Sequence, residues 1–174
     1  MHKVISGPYN NKKKSHISFS VEKTLGKLAK WLRILGFDTI DGQDFSDSRP
    51  MNTEEECRIR LTRTTRVRDR DTSGRLIFIK SDHPFDQLTE VIQALQINTE
   101  DTEPFSICIR CNTPINPVDK DFVRNMVSDY TWETHDTFQF CNQCRRVYWP
   151  GSHTKRSQEE IKRLFALASN GNRS

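Results

Sequence analysis

The chain of 174 residues is long enough for one ordinary domain, or for a small domain with a mini-domain attached. Apolar residues make up 34% and charged residues 29%, which allows one modest core; no apolar run nears the roughly 18 residues that a membrane span requires, so no membrane association is expected. Five cysteines, an odd number, and no apolar leader segment in residues 1–15 point to metal binding in a reducing, intracellular and most simply cytoplasmic setting.

Residues 1–16 hold Gly7, Pro8 and the run Lys12, Lys13, Lys14 with little apolar to bury, and read as a flexible basic arm. It is either a solvated tail or a nucleic-acid contact. Ile17, Phe19 and Val21 alternate with Ser18 and Ser20, the period-2 pattern of a short strand. At Lys23 the period changes. Leu25, Leu28, Ala29, Leu32 and Leu35 make a helical stripe, and Gly36 sits where a left-handed C-terminal cap belongs. A second strand is expected over 37–40, and strand–helix–strand order opens a βαβ unit with a parallel sheet.

Residues 42–52 are polar and turn-rich, and Thr53 with Glu56 has capping-box spacing for a short helical turn. Ile59 and Leu61 alternate with arginines as a third strand. Residues 62–74 read as an arginine-rich loop, and residues 75–80, with Leu76 to Ile79 apolar, as a buried strand. Pro84 then opens a helix with Leu88, Val91, Ile92 and Leu95 on its buried face. The expected organisation is an α/β domain over 17–97, an acidic, unpatterned linker over 98–105 and a zinc ribbon over 106–156. A helix and tail follow over 157–174, with a capping box at Ser157 and Glu160.

The ribbon is read from two knuckles, Cys108-x-x-Cys111 and Cys141-x-x-Cys144, separated by 29 residues. A C-x-x-C turn aims both sulfurs at one spot, and two such turns supply the four thiolates of a closed, structural Zn²⁺ site with no open position for catalysis. Disulfides are disfavoured in a reducing setting, and four unrelated buried thiols by the paired spacing. His135 and His153 are nearby alternatives, but four cysteines already complete the shell. Cys57, far from the knuckles in sequence, reads as a plain thiol.

Seven arginines lie between Arg58 and Arg75, opposed only by Asp69 and Asp71. Guanidinium groups make forked phosphate contacts, so Arg63, Arg66, Arg68 and Arg70, with Arg145 and Arg146 after the second knuckle, are candidate RNA-binding residues. A merely solvated face is the plainer alternative. Phe138, Phe140, Tyr148 and Trp149 are either ribbon core or base-stacking surfaces.

Several of these segments together resemble the Mut-seven C-terminal RNase family. They are Phe19-x-Val21-Glu22-x-x-Leu25-Gly26-Lys27-Leu28-Ala29-x-Trp31-Leu32-Arg33-x-Leu35-Gly36-Phe37-Asp38-Thr39, Leu61-Thr62-Arg63, Asp82-x-Pro84-x-x-Gln87-Leu88, Cys108-x-x-Cys111-Asn112-x-Pro114, and Cys141-x-x-Cys144 followed by Val147-Tyr148-Trp149-x-Gly151-Ser152-His153. The resemblance implies a PIN-like α/β fold, a parallel sheet flanked by helices, joined to a Cys₄ zinc ribbon. It also implies a ribonuclease in which carboxylates at strand ends hold Mg²⁺ or Mn²⁺ to activate water.

At the acidic positions the sequence departs from that pattern. Glu22 stands where the family has aspartate after its first strand, and Thr64 replaces the aspartate of Thr-Arg-Asp. Asp44 and Asp47 are the nearest candidates for a middle acidic position. The resemblance therefore leads to an RNA-binding chain whose cleavage activity is weakened or lost, with Glu22, Asp44 and Asp47 as the candidate catalytic residues. The alternatives are a non-catalytic component of a ribonucleoprotein complex and a protein–protein adaptor that docks through its ribbon.

Overall fold

The computed structural model describes residues 17–45 and 57–170, with side chains as far as Ala168. The basic arm, Asp47 and the turn expected at Thr53 lie outside the described residues. The chain divides into two compact units, one built from residues up to Leu32 and from Phe37 to Ile97, the other from Arg33–Gly36 and Asn98–Ser174.

In the first unit, β1 (Ser18–Glu22) runs through a 3₁₀ turn into α1 (Gly26–Ile34). Then follow β2 (Asp38–Gln43), β3 (Ile59–Thr62), α2 (Thr65–Arg70), β4 (Leu76–Phe78) and α3 (Pro84–Leu95). The strands form one parallel sheet in the order β2-β1-β3-β4. Because the chain leaves β1 for β2 on one side and returns to β3 on the other, the order reverses at β1 and β3. Ligand crevices of open α/β sheets form at the carboxyl ends of the strands at such a point.

Phe19, Ser20 and Val21 on β1 are all buried, as a central parallel strand requires. Leu25 from the 3₁₀ turn, Leu28, Ala29 and Leu32 from α1 and Leu88, Val91 and Ile92 from α3 complete the core, together with Leu61 and Ile79. Each of these large side chains contributes about 1.5–3 kcal/mol by leaving water. Phe19 and Phe37 meet edge to face with centroids 5.5 Å apart.

The expected loop over 62–74 is corrected to a loop with a short helix inside it. Arginine is a good helix former, and Val67, buried on one side of α2, is the single apolar anchor, too little to register as a periodic stripe. The strand expected over 75–80 is shorter than its apolar run, although Arg60 N–H donates to the Arg75 carbonyl and Ile79 N–H to that of Thr62 at its two ends.

Helix α3 starts with Pro84 in its first turn and ends at Gln96 in the left-handed region (φ 54°). Gln87 replaces Leu95 as a buried member of its inner face. The Gln87 amide donates to the carbonyls of Ser81 (3.0 Å) and Asp82 (3.2 Å), pinning the turn from β4 into the helix. Gln87→Leu is expected to leave both carbonyls without that donor and to cost about 1–2 kcal/mol in urea unfolding, with no change in far-UV circular dichroism.

The second unit opens with structure where an unpatterned linker is expected. Asn98 and Asp101 form a reciprocal capping box around a 3₁₀ turn at Thr99–Asp101. Strands β5 (Asn116–Val118), β6 (Phe138–Phe140) and β7 (Val147–Tyr148) make an antiparallel sheet in that order, with α4 (Asp129–Thr134) between the first two. The terminal helix, α5 (Ser152–Asn170), begins before the predicted start at Ser157, which therefore lies inside it. Lys155 N–H donates to the Gly151 carbonyl, and Thr154 Oγ1 to that of Trp149. Gly36 has φ +91°, and a Cβ there would collide with the Glu103 carbonyl, so glycine is required at this end of α1. Among the described residues no helix is long and apolar enough to cross a membrane.

Candidate metal centre and nucleic-acid interface

Each knuckle is a tight turn closed by its own backbone. Cys108 N–H donates to the Thr113 carbonyl and Asn112 N–H to that of Cys108; Cys141 N–H donates to the Arg146 carbonyl and Arg145 N–H to that of Cys141. In both, the residue after the second cysteine is left-handed, Asn112 at φ 60° and Arg145 at φ 57°. Arg145 therefore owes its placement to the turn that closes the knuckle.

The four sulfurs all lie within 4.8 Å of one another, and three of the separations are 3.4, 3.4 and 3.6 Å. A tetrahedron with Zn–S bonds of about 2.3 Å has sulfurs about 3.8 Å apart, so the donor set fits Zn²⁺ with little movement. Thr113 Oγ1 lies 3.3 and 3.2 Å from the sulfurs of Cys111 and Cys141, and the Tyr148 hydroxyl 3.0 Å from that of Cys108. Burial pushes the Cys141 thiol up, but the Cys144 backbone N–H, Thr113 and neighbouring thiols outweigh it and bring it down to about 6. Burial pushes Cys144 up as well; the Arg146 backbone N–H opposes it, but its hydrogen bonds with the other three sulfurs add to the rise and it reaches about 12. Were all four ionised, sulfurs packed this closely would call for a cation among them. His135, whose ring sits edge-on to Trp149, and His153 are not in the group.

At the carboxyl end of the parallel sheet, Glu22 closes β1. One carboxylate oxygen accepts from Thr62 Oγ1 and from the Arg63 N–H at 2.8 Å; the other accepts from Thr64 Oγ1 at 2.8 Å. Burial raises its pKa, but these donors, with Thr24, outweigh it and hold the carboxyl below its ordinary value. Asp44 is exposed just past Gln43, the register partner of Glu22 on β2.

Past β4, Asp82 pairs with Arg63, and Glu90 accepts from the backbone N–H groups of Lys80 (3.0 Å) and Ser81 (2.8 Å). Sequence reading missed Glu90; its place one turn beyond Gln87 on the inner side of α3 was the available signal. Among the described residues, the four cysteines are the one group of three or more His, Cys, Asp or Glu side chains arranged to hold a metal.

The arginine strip divides by role. Arg58 bonds Asp38 and the Phe19 carbonyl, Arg60 bonds Asp71, and Arg75 donates to the Cys57 carbonyl. Arg68 pairs with Asp69 and stacks over Phe78. Arg63, Arg66, Arg68 and Arg70 are exposed, and among the described residues Arg66 and Arg70 have no ion-pair partner.

A model of the Mut7-C RNAse domain matches residues 17–161, most of the chain. The chain belongs to the Mut7-C RNAse domain family. No curated protein and no solved structure matches it. Membership ties the chain to nuclease and RNA-related function, and the Mut7-C match spans both the sheet that carries Glu22 and the cysteine knuckles. Within this Mut7-C chain, Phe138 and Phe140 are buried in the ribbon core, whereas Trp149 is exposed.

Proposed function

We propose that this chain binds single-stranded RNA through the arginine-rich surface around α2, and that its metal-dependent cleavage is lost. The observation that carries this reading is the engagement of Glu22. In-line hydrolysis with Mg²⁺ or Mn²⁺ needs several carboxylate oxygens at one place. Here both oxygens of Glu22 accept hydrogen bonds from the β3 end, and the residue standing where the resemblance implies an aspartate, Thr64, is one of the donors. Asp82 is drawn to Arg63 and Glu90 to two backbone amides. Past the carboxyl end of β3, Arg63, Arg66, Arg68 and Arg70 are exposed, and within the ribbon Arg145 and Arg146 are exposed as further candidate contacts.

Fluorescence anisotropy with a labelled single-stranded RNA over a salt series tests the reading. If four arginines contact phosphates, the logarithm of affinity falls against the logarithm of salt with a slope of about −3, and Arg63→Ala lowers that slope by about 0.7. No cleavage product is expected with either ion. Salt-insensitive binding, or none, overturns the proposal. One arrangement favours a second reading: Glu22 and Gln43 are paired in register, which sets Asp44 near Glu22 on the neighbouring strand. Mn²⁺-dependent cleavage abolished both by Glu22→Gln and by Asp44→Asn, in variants that remain folded, would establish a hydrolase using those two carboxylates.

A further inference from the structure

Beside β3 and α2, the first unit contains a cleft of about 310 Å³. Three of its walls are guanidinium groups, from Arg60, Arg66 and Arg70, and it contains one carboxylate, Asp71, so it carries a net excess of positive charge. The inner pair is already satisfied, since Arg60 bonds Asp71 and lies 3.1 Å from Ser73 Oγ. Arg66 and Arg70 are different. They stand four residues apart on α2, hence on one face, and neither has an ion-pair partner among the described residues. Two adjacent forked cations without an acid partner suit a phosphate group.

Phe45 adds a second element to the lining. Phe45 is half-buried in the cleft, with the Arg60 guanidinium 5.8 Å from its ring centroid. An aromatic face beside paired guanidinium groups suits a base joined to a phosphate, because the ring stacks on the base while the arginines hold the anion. Thr72, on the turn after α2, adds a hydroxyl to the lining, whereas that of Ser73 donates to Asp71.

We propose that this cleft seats one nucleotide, its phosphate on Arg66 and Arg70 and its base against Phe45. The inference refines the RNA-binding reading above by giving that reading a defined seat. The phosphate could belong to a chain end or to an internal linkage; both present the same anion.

The test is a titration of the full chain, followed by ¹H–¹⁵N NMR, with adenosine monophosphate, adenosine and inorganic phosphate as separate probes. Adenosine monophosphate is expected to shift the amides of α2 and of Thr72 and Ser73 saturably, with adenosine far weaker. Arg66→Gln/Arg70→Gln, which keeps helix propensity, should weaken it about ten-fold or more; Phe45→Ala should weaken adenosine monophosphate but not inorganic phosphate. The Arg→Lys pair, which keeps charge and loses the fork, should fall in between. Equal binding of adenosine, or affinity unchanged in the glutamine pair, overturns the cleft. RNA affinity of the same glutamine variant separates the two readings: RNA binding that survives unaltered removes the cleft and leaves the RNA-binding function standing. A trinucleotide with and without a 5′-phosphate then identifies which phosphate is seated.

Discussion

Stripping zinc from the protein with a strong chelator, or replacing Cys141 by Ser, is expected to unfold residues 98–170. The reason is how much of the core at the knuckles the ligands supply, the other buried apolar side chains of these residues being few: Ile115, Val123, Phe138, Phe140, Ile161 and Leu164. The buried cluster at the knuckles consists of Cys108, Ile115 and Cys141, with Cys111, Cys144 and Tyr148 packed against it, so the ligands themselves form much of that core. The sheet strands beside it are only two or three residues long. Metal binding in such a segment is folding free energy, with apparent values of about 10–16 kcal/mol in small zinc modules at neutral pH. Elemental analysis of reduced protein should find one zinc per chain. On chelation, NMR signals of the ribbon should collapse to the random-coil range. The amides of Glu103 and Phe105, which donate to the carbonyls of Leu35 and Ile34, should lose their protection from exchange. A metal-free protein with full signal dispersion would show that side-chain packing alone suffices, and the four sulfurs would then be an ordinary core.

That centre was legible in the sequence because its information is local. A C-x-x-C turn brings two sulfurs together through four consecutive residues, and only the meeting of the two knuckles had to be inferred. The βαβ opening was legible for the same reason: a period of two switching to 3.6 at Lys23, then Gly36. Helix α2 was not, since one buried valine among arginines makes no stripe. Nor was the start of α5, because the Ser157–Glu160 spacing mimics a cap while the helix is already under way from Ser152. The partners of Glu22 were out of reach altogether. They lie 40 to 42 residues further along, and only the strand order 2-1-3-4 brings them alongside. The loss of a carboxylate at Thr64 could be read from the residue type; that its hydroxyl turns to Glu22 could not.

Glu22→Ala is accordingly expected to destabilise the first unit by about 2–3 kcal/mol, without any divalent ion present, because it orphans the Thr62 and Thr64 hydroxyls and the Arg63 N–H together. Thr62 is fully buried and has the most to lose; partial exposure of Glu22 and Thr64 keeps the total below the sum of three charged hydrogen bonds. The pH dependence follows from the direction of the shift. Burial alone would raise the Glu22 pKa, but the donors outweigh it, so the folded value lies below the 4.5 of a free glutamate. The unfolded chain therefore takes up its proton first as pH falls. The contribution of the carboxylate is complete above about pH 5.5 and is lost as pH drops through the folded value. Urea unfolding of the wild type and of Glu22→Gln, compared between about pH 6 and about pH 3, should show a constant gap that closes on the acid side. A metal ligand held open for a cation behaves oppositely: with its charge unpaired, its removal leaves stability unchanged or improved, and the gap between the two proteins does not narrow with acid.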